Sequence, residues 1–335
     1  MAAFTGSLIM IVIVCMTLFA GVVCLALLER KILGRMQARR GPQRAGPLGL
    51  SQPLADSLKL VCKENISISV TDPVLYRLAP FIALVATVSM ASLIPFGNAM
   101  PWFGIDTALR IADVNVGLIY VLTFSLCGIF GILLAGWSSA NSFALLAGLR
   151  ASMLVMSCEI PLACSCAGVL MQAGSLSLVT LVEVQAQQGW FVYHIQGIGF
   201  VVFLICAVMK CNRTPFDQIA ASSELAAGHL MEYAGVKYAL FRLTEYAGII
   251  LMSAFMVTLF FGGWIPLPWV GAPRGPLWLG PIWFWLKVFG FCFLFVWLRA
   301  TLPRFRPDQV VKLGWEVLFP LSLINIVLTA VMLGS

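Results

Sequence analysis

Several ionisable side chains in this chain fall where lipid would surround them. Glu159 lies inside the apolar run MLVMSCEIPLACSCAGVLM, Lys287 inside GPIWFWLKVFGFCFLFVW, and Glu29 and Arg30 close a run that begins near Ser7. A charge in hydrocarbon is costly, so it is either paired or part of an ion or proton path. Arg150 precedes Glu159 by nine residues, about two and a half helical turns, and so cannot pair with it along one face. Glu159 therefore needs another ion or water, and a structural ion pair and a proton relay are its two readings. Lys287 is expected to balance an acid across the bundle. Arg242 and Glu245 are three residues apart, which suits a pair on one helical face, as a local salt bridge or as part of a relay. Asp217, Glu224 and Glu232 recur at spacings of seven and eight, so a helix there would bring them near one face; a solvated loop face is the plainer alternative.

Metal and haem chemistry find no support. The ten cysteines are scattered through apolar runs without a CxxC pair, as small buried hydrophobes are. The two histidines, His194 and His229, fall in different segments, which disfavours bis-histidine haem ligation, and no Cys/His spacing suits zinc. The expectation is a chain that binds no metal, haem, flavin or iron–sulfur cluster.

The elements that must hold these charges are membrane helices. The 335 residues are 61% hydrophobic and 10% charged, with a mean hydropathy of +0.97, far from a soluble domain. Windows of about 20 apolar residues give eight spans, near 7–28, 76–97, 115–136, 153–172, 191–210, 239–261, 281–301 and 316–334. The fold class is therefore all-α: a polytopic membrane protein forming a single membrane domain over 1–335. The start lacks the basic region of a cleaved signal peptide, so the first run reads as a span. Of the 21 Lys and Arg, all but Arg110, Arg274 and Lys287 fall in or beside gaps on one side of the eight spans. The positive-inside bias makes that side cytoplasmic and leaves both termini outside. The net charge of +7 then reflects topology and lipid contact, not nucleic acid. The outer stretch 262–280 is Pro/Gly-rich, with Trp264, Trp269 and Trp278 suited to an interfacial belt. Inverted repeats, which would favour a secondary transporter, are not seen.

The cytoplasmic loops 29–73 and 210–238 carry the polar sequence. In the first, Gly41-Pro42 and Gly46-Pro47 end any helix continuing from span one. Ser51 can then cap a short helix with Pro53 in its first turn. Leu54, Leu58 and Val61 fall on one face, with Asp56, Lys59 and Lys63 elsewhere, as in an amphipathic helix lying on the membrane surface. Such a cationic loop suits either lipid phosphate or a cytoplasmic partner.

Several motifs in these segments carry a family likeness. They are Leu-Leu-Glu-Arg-Lys (27–31), Met-Gln-x-Arg-x-Gly-Pro (36–42), Gly-Pro-x-Gly-Leu-x-Gln-Pro (46–53) and Ala-Gly-Trp-Ser-Ser (135–139). The series continues in Leu-Arg-Ala (149–151), Asn-Arg-Thr-Pro-Phe-Asp (212–217), Leu-Phe-Phe-Gly-Gly-Trp (259–264) and Leu-Arg-Ala-x-Leu-Pro-Arg-x-Arg-x-Asp-Gln (298–309). In content and order they resemble the quinone-site membrane subunit of bacterial NADH:quinone oxidoreductase (respiratory complex I), the family of mitochondrial complex I subunit 1. The resemblance implies a subunit of the bacterial inner membrane that docks a peripheral arm of iron–sulfur and quinone-site subunits and adjoins small and antiporter-like membrane subunits. It also implies a wall of the quinone chamber, with quinone as substrate, and the first stretch of a proton route. Carried over residue by residue, Glu29, Arg30, Arg39, Asp56, Phe216, Asp217, Phe241 and Arg242 would shape the chamber or its mouth. Arg150, Glu159, Glu224, Glu232, Glu245 and Lys287 would form the proton path. The chain departs from the family in the second loop. Many members carry a glutamate where Lys210 stands, and acids at the positions of Ala220 and Ser222. Clustered carboxylates share protons, so these losses put proton coupling in doubt and keep open a relative linked to ferredoxin, a deazaflavin or a hydrogenase.

Overall fold

The computed structural model describes residues 2–66, 71–97, 99–102, 105–108, 110–219, 228–266 and 279–334. Apart from a short antiparallel hairpin, β1 (Ala99–Trp102) with β2 (Ile105–Ala108), the described fold is helical. The helices are α1 (Ala2–Met36), α2 (Gln52–Cys62), α3 (Pro73–Ala91), α4 (Gly117–Ser138), α5 (Ser142–Ala173), α6 (Leu178–Gln188), α7 (Gly197–Lys210), α8 (Gly235–Phe260), α9 (Leu279–Thr301), α10 (Pro307–Lys312) and α11 (Phe319–Gly334). A π-helical turn, Leu313–Leu318, joins the last two.

Among the described residues seven helices are long and apolar enough to cross a membrane. The predicted span 191–210 is the exception. Its first part forms a 3₁₀ turn, Phe191–Tyr193, and only the 14 residues of α7 are α-helical, about 21 Å. This helix packs against α5, α8 and α11 within the bundle, with Ile198 and Val201 near its start exposed, and falls short of the length of a lone span. Two other boundaries move outward. α1 has 35 residues, about 52 Å against a hydrocarbon layer of about 30 Å, so Glu29 and Arg30 are helical residues and not loop residues. α5 begins at Ser142, capped by the Asn141 side chain, which accepts from the Phe143 N–H at 3.0 Å. Arg150 is consequently inside a helix.

α8 is the central element, with most residues from Ala247 to Phe260 buried. α3 and α4 approach closely because Gly131 has no side chain: a Cβ there would lie 2.8 Å from that of Ala83. α2 forms where expected, with Pro53 in its first turn, although Ser51 at the N-cap makes no side-chain capping bond. Leu54, Leu58 and Val61 remain exposed on it, as an amphipathic surface helix requires. Trp264, expected at an interface, is instead buried, while Trp269 and Trp278 lie outside the described residues.

The end of α8 shows how a buried terminus is satisfied. A helix leaves its last carbonyls unpaired. Gln185 of α6 donates to the carbonyls of Thr258 and Leu259 at 2.9 and 3.2 Å and accepts from the Gly262 N–H at 2.8 Å. Lys287 Nζ of α9 donates to the carbonyls of Phe261, Gly263 and Ile265 at 2.7, 3.0 and 2.5 Å. Gly262 and Gly263 both have positive φ, so the turn needs glycine twice. The expectation that Lys287 balances an acid is therefore corrected: three backbone dipoles and the face of Trp190, 4.5 Å away, hold it. Lys287→Met is expected to lower the stability of the chain by about 2 kcal/mol. A melting curve checks this.

Candidate functional site

The C-terminal ends of α1, α7 and α9 meet at one end of the bundle, and there the charges converge. Glu29, 4% exposed, accepts from Arg213 Nη1 at 3.3 Å and also contacts Arg299 Nη1. One buried carboxylate thus faces two guanidiniums, and the Arg213 guanidinium lies over the Tyr246 ring at 4.8 Å. Apolar residues would be the cheaper filling for such a position, so the cluster reflects a use for charge. Next to it Arg30 pairs with Asp56 of α2 at 2.6 Å, both partly exposed. The two segments are thereby tied together. Asp217 pairs with Arg304 at 3.2 Å, and Phe216 packs on Phe305 at 5.8 Å. Phe216 is 5% exposed and belongs to the core. Arg39 reaches only Gln37, at 2.7 Å, on the exposed loop.

A second group lies deeper. Arg242 and Glu245 pair at 2.9 Å, as their spacing predicts. Glu245 lines a cavity of about 120 Å³ whose polar lining includes Ser125, Lys210, Asn212, His229 and Thr244. At its far end Lys210 Nζ sits 2.5 Å from Glu159 Oε2 and 2.5 Å from Ser125 Oγ, with side chains 7% and 16% exposed for Lys210 and Glu159. The partner that Glu159 needs is the lysine that departs from the family pattern. The two are 51 positions apart, beyond the reach of any spacing rule. Arg150 is half-buried nine residues earlier on α5.

Asp217 and Glu232 themselves are not helical: residues 211–219 form turns, and Glu232 follows the 3₁₀ turn Gly228–Leu230, while residues 220–227, with Ala220, Ser222 and Glu224, lie outside the described residues. Glu232 is held by Asn141 Nδ2 at 2.9 Å, and its backbone carbonyl accepts from Tyr76 Oη at 2.6 Å. Tyr76 stacks on Tyr233 at 4.3 Å. Burial pushes the Tyr233 phenol up to about 12, opposed by its hydrogen bond with Ser138.

Sequence reasoning gives His229 no role. It is 3% exposed and meets Phe241 edge-to-face at 5.3 Å, and its buried Nδ1 has no partner among the described residues. Burial pushes its imidazole down to about 4, with Glu245 opposing and Arg242 adding. A folded value below the unfolded 6.5 means stability is lost as pH falls from 6.5 toward 4, because the unfolded chain takes up the proton first. His229→Phe is expected to flatten that part of the melting-temperature profile between pH 6.5 and about 4.5.

A sequence model of the NADH dehydrogenase family matches residues 8–330, nearly the whole chain. The chain belongs to the NADH dehydrogenase family. Among similar family members, the H subunit of the NADH-quinone oxidoreductase of Protochlamydia amoebophila is 42% identical over 312 residues, covering 93% of both chains. The corresponding protein of Geobacillus kaustophilus is 44% identical over 307 residues, covering 91% of this chain and 87% of the relative. The second such protein of Geobacter metallireducens is 42% identical over 319 residues, covering 91% and 89%. In this NADH dehydrogenase family member the motif residues Glu29, Arg30, Asp56, Arg213, Asp217, Arg299 and Arg304 form ion pairs gathered at one end of the bundle. Spacing alone does not single out Arg213, Arg299 and Arg304. Their signal lies in Asn-Arg-Thr-Pro-Phe-Asp and in the closing basic motif.

Proposed function

We propose that this chain is the membrane subunit of a complex I-type NADH:quinone oxidoreductase. It docks the peripheral arm, forms the membrane side of the quinone chamber, and links quinone reduction to proton translocation. The observation that carries the reading is the convergence of α1, α2, α7 and α9 on the ion-pair cluster around Glu29, together with the cavity lined by Glu245 and by Lys210, the partner of Glu159. Quinone is a substrate at the subunit interface. Flavin and iron–sulfur clusters belong to peripheral partners, and the charged end faces the cytoplasm of a bacterial inner membrane, with both termini on the other side. The exposed face of α2 and the basic loop before it supply the docking contact, with lipid phosphate beside them. Arg30, Arg213 and Arg299 polarise the chamber, and Glu245 takes the first proton of the route. Adjacent small and antiporter-like subunits receive it.

One observation supports a second reading within the same family. With Lys210 directly on Glu159, that carboxylate has a fixed counter-charge, as suits a ferredoxin-, deazaflavin- or hydrogenase-linked relative with weakened coupling. Purification through a tag on this chain, followed by reconstitution in vesicles, separates the two. Iron–sulfur and antiporter-like partners with NADH-driven quinone reduction and lumen acidification support the first. Electron transfer with little acidification supports the second, and a lone chain that carries a solute overturns both.

A further inference from the structure

Between Glu245 and the Lys210–Glu159 pair the cavity wall is mostly apolar, with Ile129, Ile132, Val155 and Met252 among its residues. Its volume of about 120 Å³ leaves room for roughly four waters at about 30 Å³ each. Among the described residues, two buried polar atoms of the lining have no partner: Asn212 Oδ1 and His229 Nδ1. Buried polar atoms are rarely left so, and each orphan calls for a water or a working role. Both belong to the lining of one cavity, and the ring packs on Phe241, one helical turn from Glu245 on α8.

We propose that His229 is the group that passes protons from Glu245 to the Lys210–Glu159 pair. The inference rests on the proton-route reading above and adds a residue to it. A proton leaving the Glu245 carboxyl binds Nδ1, directly or through one water, and a proton leaves Nε2 for water beside Lys210 and Glu159. One proton enters at Nδ1 and one departs from Nε2, so the ring ends neutral as its other tautomer, and each further transfer requires the side chain to turn over and present its bare nitrogen to Glu245 again. Glu245 and Arg242 of α8 act on the charge of the ring, and Lys210 of α7 lines the same cavity. Because burial holds the ring neutral at working pH, with the imidazolium favoured only near pH 4, it transmits protons without storing one. Asn212 Oδ1 fits as the acceptor that orients a cavity water. This second loop lacks acids at 220 and 222, and an imidazole on the cavity wall supplies a proton-transfer group in their absence.

The test uses the whole complex in vesicles, measuring quinone reduction and proton uptake with a pH-sensitive dye. Assembly is checked by partner content and by electron transfer to an artificial acceptor in the peripheral arm. His229→Phe keeps the ring packing on Phe241, and His229→Gln keeps a hydrogen-bonding side chain, yet neither can transfer a proton. Both are expected to slow coupled proton uptake by roughly 10²-fold, while His229→Glu retains a substantial part of it. A merely structural histidine would give the opposite order, with Phe tolerated and Glu harmful. Glu245→Gln in parallel reports on the underlying reading. If Glu245→Gln abolishes uptake and His229→Phe leaves it intact, the role of His229 is overturned and the route stands. If neither variant changes uptake, the route itself is wrong.

Discussion

Lys210→Met is expected to be among the most damaging single changes in the bundle, and Glu159→Gln in the same chain is expected to undo most of the damage. The lysine and the glutamate lie 2.5 Å apart, the lysine 7% and the carboxylate 16% exposed. Removing one partner leaves a largely buried charge unpaired, which costs about 3–5 kcal/mol. Removing both leaves a methionine against a neutral amide, with no buried charge unpaired. The double-mutant cycle read from melting midpoints of the assembled complex should therefore show strong coupling between the two positions. If the single and double variants melt alike, the pair contributes nothing and the short contact is incidental. Lys210→Glu asks a functional question of the same contact. Two carboxylates at hydrogen-bond distance cannot both ionise and so hold one proton between them. Protons moved per electron are expected to stay level or rise, and a new acid limb should enter the pH–rate profile. Loss of activity with full assembly would show that the cation is required.

The contrast between Lys210 and Lys287 shows what a sequence does and does not disclose in a membrane protein. Both are lysines at or within apolar runs; the cost of charge in lipid flags Lys287 as needing a partner, while Lys210, at the end of its run, draws notice only as a departure from the family pattern. For Lys287 the partners are carbonyls freed by the end of a different helix, α8, at a Gly-Gly turn. Backbone groups carry no letter in the sequence, so an acid is the natural but mistaken expectation. For Lys210 the partner is an acid, but it is reached only through the packing of α7 on α5. Hydropathy places the long helices because about 20 apolar residues leave little alternative. It overextends 191–210 because an apolar stretch need not be one helix: here a 3₁₀ turn precedes a helix of 14 residues packed on α5, α8 and α11. Pair spacing along one helix finds Arg242 with Glu245. It fails for Asp217 and Glu232, where Pro215 and the turns after it set the backbone and the acids find Arg304 and Asn141 instead. His229 escapes notice in the sequence because only burial, an orphaned nitrogen and a shared cavity distinguish it, and all three are tertiary properties.

Glu29→Gln is expected to have an effect as large as that of Lys210→Met, at the opposite end of the proposed route. In the native chain one carboxylate, 4% exposed, faces Arg213 and Arg299, so the cluster carries an excess positive charge before any substrate or partner arrives. Neutralising Glu29 leaves two guanidiniums opposed. Arg213 is buried, its Nη2 has no partner among the described residues, and it cannot relax toward water. Arg299 is about one-third exposed and partly screened, which discounts its share. The expected cost is about 3–4 kcal/mol, read as a fall in the melting midpoint and in assembled complex. Glu29→Asp retains the charge but retracts it by one methylene, so the loss should be smaller. Because the cluster ties the ends of α1, α7 and α9 together, the damage should also appear in function. Quinone reduction by complex that does assemble is expected to fall roughly tenfold or more, while electron transfer to an artificial acceptor in the peripheral arm stays near normal. Arg299→Met in the Glu29→Gln background removes the opposed charge and should recover assembly. Recovery of assembly without recovery of quinone reduction would assign the charge itself to the chamber. Recovery of both would reduce the cluster to a structural tie.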